Sequence, residues 1–267
     1  MTERREVWAD GAAYERYVGR WSRLVAREHL AWLAVPARGR WLDVGCGTGV
    51  LSQAILASAD PITVMGVDQS TTYVAHARAL VIDERARFEV ADARALPGQA
   101  GVYDAVVSGL VLNFVAEPAL ALAEMIRVTR PGGAVALYVW DYAGEMQLMR
   151  HFWDAAVALN PAARELDEGQ RFPICQPDAL AALLHDAGMQ AVETRAIDVP
   201  TVFHDFDDYW SPFLGGQAPA PGYAMSLTEE RRAELRERIR AGLPIAADGS
   251  ISLVARAWAV RGEKRKA

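Results

Sequence analysis

The chain has 267 residues, 52% hydrophobic and 23% charged, enough apolar matter for a self-sufficient core and room for one α/β domain with insertions. Lys and Arg number 28 against 34 Asp and Glu, a formal charge of −6. That argues against a nucleic-acid partner, since backbone affinity rests on clustered cations. Two cysteines, Cys46 and Cys175, make no disulfide framework and suit a reducing cytoplasm. The N-terminus MTERREVWAD lacks a leader's apolar run, and no stretch approaches the roughly 18 apolar residues of a membrane span.

In chain order, residues 12–34 read as a helix with Tyr14, Tyr17 and Trp21 on one face; with the break at VPARG they form an N-terminal helical cap, 1–39. RWLDV reads as a strand and 48–59 as a helix. ITVMGV (62–67) is a second strand ending at Asp68, followed by a helix with Ser70 at its N-cap. ARFEVAD (86–92) is a third strand ending at Asp92, and 103–108 a fourth. A helix opens on Pro118 and stops at RPGG, and AVALYVW (134–140) is a fifth strand. Nearly all-apolar strands alternating with helices predict an α/β fold, a parallel sheet covered on both faces. This cofactor-sized core spans 40–141.

The second half is less regular. A lid insertion covers 142–175, with a helix near 145–158. The core resumes over 176–199: Pro177 opens a helix that Gly188 closes, with Leu180, Leu183, Leu184 and Ala187 as its apolar stripe, before a strand at 189–199. A substrate-side insertion follows at 200–250. It begins FHDFDDYWSPF and continues as a charged helix, with Ser226 and Glu229 at capping-box spacing and Glu234 and Arg238 as an i, i+4 pair. The last strand, 251–260, and a basic tail complete 251–267.

Chemistry concentrates in WLDVGCGTG, 41–49. A strand feeding glycines and then a helix outlines a nucleotide-cofactor site. Val50 and Leu51 stand where a Walker loop needs its lysine and hydroxyl. The spacing is G-x-G-x-G over Gly45, Gly47 and Gly49, one residue short of the dinucleotide G-x-G-x-x-G; an NAD(P) oxidoreductase therefore stays as an alternative.

LDVGCGTG (42–49) resembles the first motif of class I S-adenosylmethionine-dependent methyltransferases. The likeness continues in family order through VMGVDQS (64–70), VADARALP (90–97), YDAVVSGLVLNFV (103–115) and RVTRPGGAVAL (127–137). It implies a Rossmann-like, seven-stranded, mostly parallel sheet and S-adenosyl-L-methionine as cofactor, with S-adenosyl-L-homocysteine as product. The pattern is similar to the small-molecule, type 11, quinone-methyltransferase-like branch. The resemblance implies cofactor contacts from Asp43 to the ammonium, from Asp68 with neighbouring Gln69 to the ribose, and from Asp92 and the Ala93 N–H to adenine. It adds Gly45, Cys46, Gly47 and Gly49 of the loop and the backbone at Ser108. Tyr17 and Trp21 are candidates to close over the cofactor or to dock the cap; Cys46 reads as a small buried filler.

Methyl transfer by in-line displacement needs no protein nucleophile. A base helps with a hydroxyl or acidic carbon, and His151, His204, Asp141, Tyr142 and Glu145 are the candidates. The acceptor is expected to be a small apolar or aromatic molecule. Phe203, Phe206, Tyr209, Trp210 and Phe213 are read either as its wall or as a hydrophobic cluster under a loop. No metal is expected, Asp205, Asp207 and Asp208 being read as solvated acids. A non-catalytic S-adenosylmethionine-binding protein remains an alternative, as do monomer and homodimer.

Overall fold

The computed structural model describes residues 19–215 and 218–266; Tyr14 and Tyr17 lie outside them. Along the chain run α1 (Arg20–Leu33), β1 (Arg40–Val44), α2 (Val50–Ser58), β2 (Thr63–Asp68), α3 (Thr71–Leu80), β3 (Ala86–Val90), β4 (Tyr103–Gly109), α4 (Pro118–Val128) and β5 (Thr129–Trp140). Then come α5 (Gln147–Leu159), α6 (Pro177–Asp186), β6 (Gln190–Phe203), α7 (Phe206–Trp210), α8 (Pro219–Ser226), α9 (Glu229–Gly242) and β7 (Ile251–Glu263). The chain divides into two compact units, one of 22–140, 174–197 and 257 onward, the other built mainly from Asp141–Pro173 and Asp198–Arg256.

The larger unit carries the sheet, ordered β3-β2-β1-β4-β5-β7-β6. The first five strands of that order pair in parallel, and β7 runs antiparallel to β5. This is the mostly parallel, seven-stranded Rossmann-like sheet expected. Burial on both faces explains the continuous apolar strands: Trp41, Leu42, Val106, Val107, Leu137 and Val139 are all buried. Ser70 caps α3, its Oγ accepting from the Tyr73 N–H at 3.3 Å. Two expectations shift. The fifth strand begins at Thr129 rather than 134, because RPGG is absorbed into a register shift opposite Tyr103 and Ala105. On α6 only Leu180 and Leu184 of the apolar stripe are buried; Leu183 is half-buried and Ala187 exposed.

The smaller unit has an aromatic core. Phe152 stacks on Phe213 at 4.6 Å, Trp21 meets Phe203 edge-on at 5.2 Å, and the buried Tyr209 hydroxyl donates to Leu148 O at 2.8 Å. Phe203, Phe206, Tyr209, Trp210 and Phe213 are all buried, so in this unit they face one another as a hydrophobic cluster. Three acids carry structural loads. Asp205 caps α7, Asp207 pairs with Arg236 at 2.9 Å, and Asp208 pairs with Arg20 at 3.2 Å. The Arg20 guanidinium lies over the Trp21 and Phe203 rings, 4.5 and 4.9 Å from their centroids. The cap of α9 is Thr228, whose side chain accepts from Arg231 N, while Ser226 Oγ donates back to Tyr223 O. Glu234 pairs with Arg231 at i, i+3 rather than with Arg238.

Candidate functional site

The site grows from how β1 ends. Gly45 N and Cys46 N both donate to Val67 O, at 2.8 and 2.9 Å, and Gly49 N donates to Cys46 O. These bonds fold the loop against the end of β2. Gly45 has φ +74°, and a Cβ there would come within 2.5 Å of the Val111 side chain, so its bareness lets the segment after β4 close on the loop. Gly47 has φ +51°, and a Cβ there would meet nothing within 4 Å. The loop is thus packed at Gly45 and open at Gly47.

Asp68 ties this loop down. Its Oδ2 accepts from Gly47 N at 3.0 Å and its Oδ1 from Ser70 N at 2.8 Å. Burial pushes its carboxyl above the usual range, opposed by those two N–H donors. Asp43 is fully buried beneath the loop. Ser52 Oγ, one turn into α2, donates to its Oδ2 at 2.7 Å, while Oδ1 has no partner. Burial pushes Asp43 up to about 7, with Ser52 opposing and Asp68 adding to the rise. Gln69 is exposed beside Asp68.

Asp92 lies two residues beyond the end of β3, not on the strand. Its carboxylate accepts from Arg94 Nη2 at 2.7 Å and from Arg94 N at 2.8 Å, which holds it below the usual range. Arg94 also reaches Glu117 at 3.1 Å. Ala93 beside it is half-buried. Ser108 is buried, and its Oγ donates to Val44 O at 2.8 Å, stapling the ends of β1 and β4. Leu110 then takes a positive φ of 62° with its N–H on Tyr138 O. Cys46 packs with Val74, Ala77 and Phe88. Its thiol is driven far up, by burial first and then by Asp43 and Asp68, which makes it an inert filler.

The remaining candidates belong to the smaller unit. Trp21 is 4% exposed, its ring committed to Phe203 and Arg20. Asp141 is buried and accepts from Glu145 N at 2.9 Å; Tyr142 packs on Phe172 at 5.6 Å. His151 is half-buried and held below its ordinary value by burial, with Asp154 opposing. His204 is 92% exposed, its Nδ1 3.3 Å from Asp205. Two buried polar residues absent from the sequence reading also lie in the larger unit. One is Ser52, a hydroxyl on an otherwise apolar helix face. The other is Asn113, an amide inside the apolar run LVLNFV whose side chain is buried with neither polar atom partnered.

A strand-end acid beneath a glycine loop, with open space above its middle glycine, is an arrangement that fits a nucleoside cofactor. Residues 42–137 match the methyltransferase domain family, type 11. The chain is 36% identical over 186 residues to the demethylmenaquinone methyltransferase of Beutenbergia cavernae, covering 65% of this chain and 75% of that protein. It is 30% identical over 180 residues to the 2-methyl-6-phytyl-1,4-hydroquinone methyltransferase of Synechocystis, covering 66% of this chain and 55% of that one. Among solved structures, phosphoethanolamine N-methyltransferase 2 of Haemonchus contortus, in complex with S-adenosyl-L-methionine, superposes with a TM-score of 0.60 at 16% identity, covering 96% of this chain and 56% of that one. The chain belongs to the class I S-adenosylmethionine-dependent methyltransferases, in their small-molecule branch. Among the described residues no helix is long and apolar enough to cross a membrane.

Proposed function

We propose that the protein transfers the methyl group of S-adenosylmethionine, by in-line displacement, to a small hydroquinone-like aromatic molecule. The observation that carries this reading is the 36% identity to a demethylmenaquinone methyltransferase across three quarters of that protein. Bound, the cofactor supplies an electrophilic sulfonium methyl, and no phosphate that would call for a lysine or a metal. Two features of the loop fit it: the open space at Gly47 and the buried, unpartnered Asp43 Oδ1. Asp43 faces the ammonium, Asp68 accepts from the ribose hydroxyls, and Asp92 with the Ala93 N–H takes adenine. The loop glycines and the backbone near Ser108 pass beside the amino-acid end. Holding donor and acceptor in line and shedding water supply most of the rate.

The direct test is transfer of labelled methyl to demethylmenaquinol, with the product identified by mass; cofactor binding without transfer to any hydroquinone sinks the reading. Two further outcomes follow from the loop. Gly47→Ala is expected to cost only about 1 kcal/mol of stability, the strain of a side chain at left-handed φ, yet to weaken cofactor binding at least tenfold by filling the open space; equal affinity by calorimetry would remove the cofactor from that loop. Asp43 must be ionised to face an ammonium, and its carboxyl stands at about 7. The dissociation constant for S-adenosylmethionine is therefore expected to fall about tenfold per pH unit as pH rises toward 7, then level off. A profile flat from pH 5 to 7 argues against that contact.

A further inference from the structure

α9 reads EERRAELRERIRAG, and only Leu235 and Ile239 of its 14 residues are buried. The helix packs on α5, yet before Leu235 it has no large apolar side chain to set against that neighbour. Its first turns therefore leave the end of α5 uncovered. The result is a crevice of about 260 Å³ within the smaller unit. Ala156 and Leu159 of α5 line it, with Tyr223 of α8, Leu227 between α8 and α9, and Leu235. Protein interiors seldom leave voids larger than a water molecule, and an apolar cavity of about 150 Å³ already binds benzene. A crevice of this volume has room for two fused rings. None of the residues assigned to the cofactor lines it, and neither does any candidate for the base or for the acceptor's wall.

The lining selects the chemistry of the occupant. Ala156 and Leu235 are buried, while Leu159, Leu227 and Tyr223 are half-buried. The Tyr223 ring is braced from within by Trp153 at 5.7 Å and Phe152 at 6.3 Å. That makes a rigid aromatic wall, suited to a flat ring laid against it. The lip is polar but self-neutralised, because Arg231 and Glu234 pair with each other at 3.3 Å. A charged ligand would have to compete with that pair, and an uncharged one would not. Asn160, also on the lip, is occupied as a cap, its side chain accepting from Ala162 N at 3.2 Å. The Tyr223 hydroxyl makes no hydrogen bond to any described residue. It can donate to, or accept from, one oxygen of a ligand.

We propose that this crevice is a second small-molecule site. It takes an uncharged two-ring aromatic with one hydroxyl or carbonyl, held by the Tyr223 hydroxyl, and it fills independently of S-adenosylmethionine.

The test places a reporter thiol in the wall. Cys46 and Cys175 are both buried, so in Leu159→Cys the introduced thiol is the one that N-ethylmaleimide reaches. The labelling rate of the full chain is followed against rising 2-naphthol. It is expected to fall saturably, by at least about tenfold once the probe is well above its dissociation constant. Naphthalene is expected to need roughly tenfold more for the same protection, the worth of one well-made hydrogen bond. Adding Tyr223→Phe removes that difference. Leu227→Cys, run in parallel, reports from another wall should Leu159→Cys fail to fold. Saturating S-adenosylhomocysteine leaves the 2-naphthol curve unchanged. No protection by 2-naphthol overturns the site. Protection by S-adenosylhomocysteine alone overturns its independence, equal protection by 2-naphthoate its preference for an uncharged ligand, and a difference that survives Tyr223→Phe the part given to that hydroxyl.

Discussion

Asp68→Ala is expected to raise the dissociation constant for S-adenosylmethionine by at least roughly 100-fold. A carboxylate has about four lone-pair directions. Two are used by Gly47 N and Ser70 N, which leaves two for the ribose hydroxyls. A hydrogen bond to a charged group contributes about 1.5–3 kcal/mol, so losing two costs roughly 3–6 kcal/mol, or 10² to 10⁴ in affinity. The alanine also releases the Gly47 and Ser70 N–H groups, which loosens the loop before any ligand arrives. Asp68→Asn keeps the shape and one acceptor oxygen, and is expected to fall between the two. Calorimetry on all three proteins decides the matter. A Kd for Asp68→Ala within about threefold of wild type would take the ribose away from Asp68. Titration with NADH alongside checks the dinucleotide alternative, because an acid at that strand end serves a ribose in either class.

The larger unit is legible in the sequence because its signals are periodic and local. RWLDV, TVMGVD and YDAVVSG are apolar on both faces, as strands buried on both sides must be. Ser70 and Pro118 mark helix starts through backbone geometry confined to one turn. The loop is legible for the same reason: glycine spacing is a local constraint on φ. What sequence does not carry is the direction in which a side chain is satisfied. FHDFDDYWSPF reads equally as a ligand wall or as a cluster, and the packing of Phe152 on Phe213, a partner 61 positions away in sequence, decides for the cluster. RPGG looks like a strand breaker, yet it is held at the start of β5 by exchange with the far end of the chain, Gly132 N to Lys264 O and Lys264 N to Gly133 O. Thr228 rather than Ser226 caps α9 because α8 ends at Ser226 and uses its hydroxyl. Asn113 carries no sequence signal, because a single amide in an apolar run has no spacing to read; only its burial without partners sets it apart.

Two buried groups on the larger unit titrate in opposite senses, and separating them gives the second large effect. His29 is fully buried on α1, 4.8 Å from the Tyr138 ring, with neither ring nitrogen partnered. Burial first, and then the Arg261 charge, lowers its pKa from 6.5 to about 3. The folded chain therefore leaves His29 neutral while the unfolded chain takes up a proton below 6.5, and stability is lost as pH falls from 6.5 toward 3. Asp43 goes the other way. Its pKa rises from 3.8 to about 7, so the unfolded chain ionises while the fold keeps the proton, and stability is lost as pH rises from 3.8 to 7. Each contributes about 1.4 kcal/mol per pH unit. Between pH 3.8 and 6.5 the two slopes oppose each other, so the wild type shows only their difference on top of the other titrating groups. His29→Leu is expected to expose the Asp43 slope, with denaturant stability of the cofactor-free protein falling as pH rises from 4 to 6.5. It should also be more stable near pH 7 by about 1–3 kcal/mol, two unsatisfied nitrogens having been removed. Asp43→Asn is expected to expose the opposite slope, with stability falling more steeply than wild type as pH drops, and the double variant to run parallel to wild type again. Urea unfolding at three pH values distinguishes these outcomes. A His29→Leu line parallel to wild type would mean that His29 titrates normally in the fold; an Asp43→Asn line parallel to wild type would mean the same of Asp43, whose burial could then no longer explain a pH-dependent grip on the ammonium.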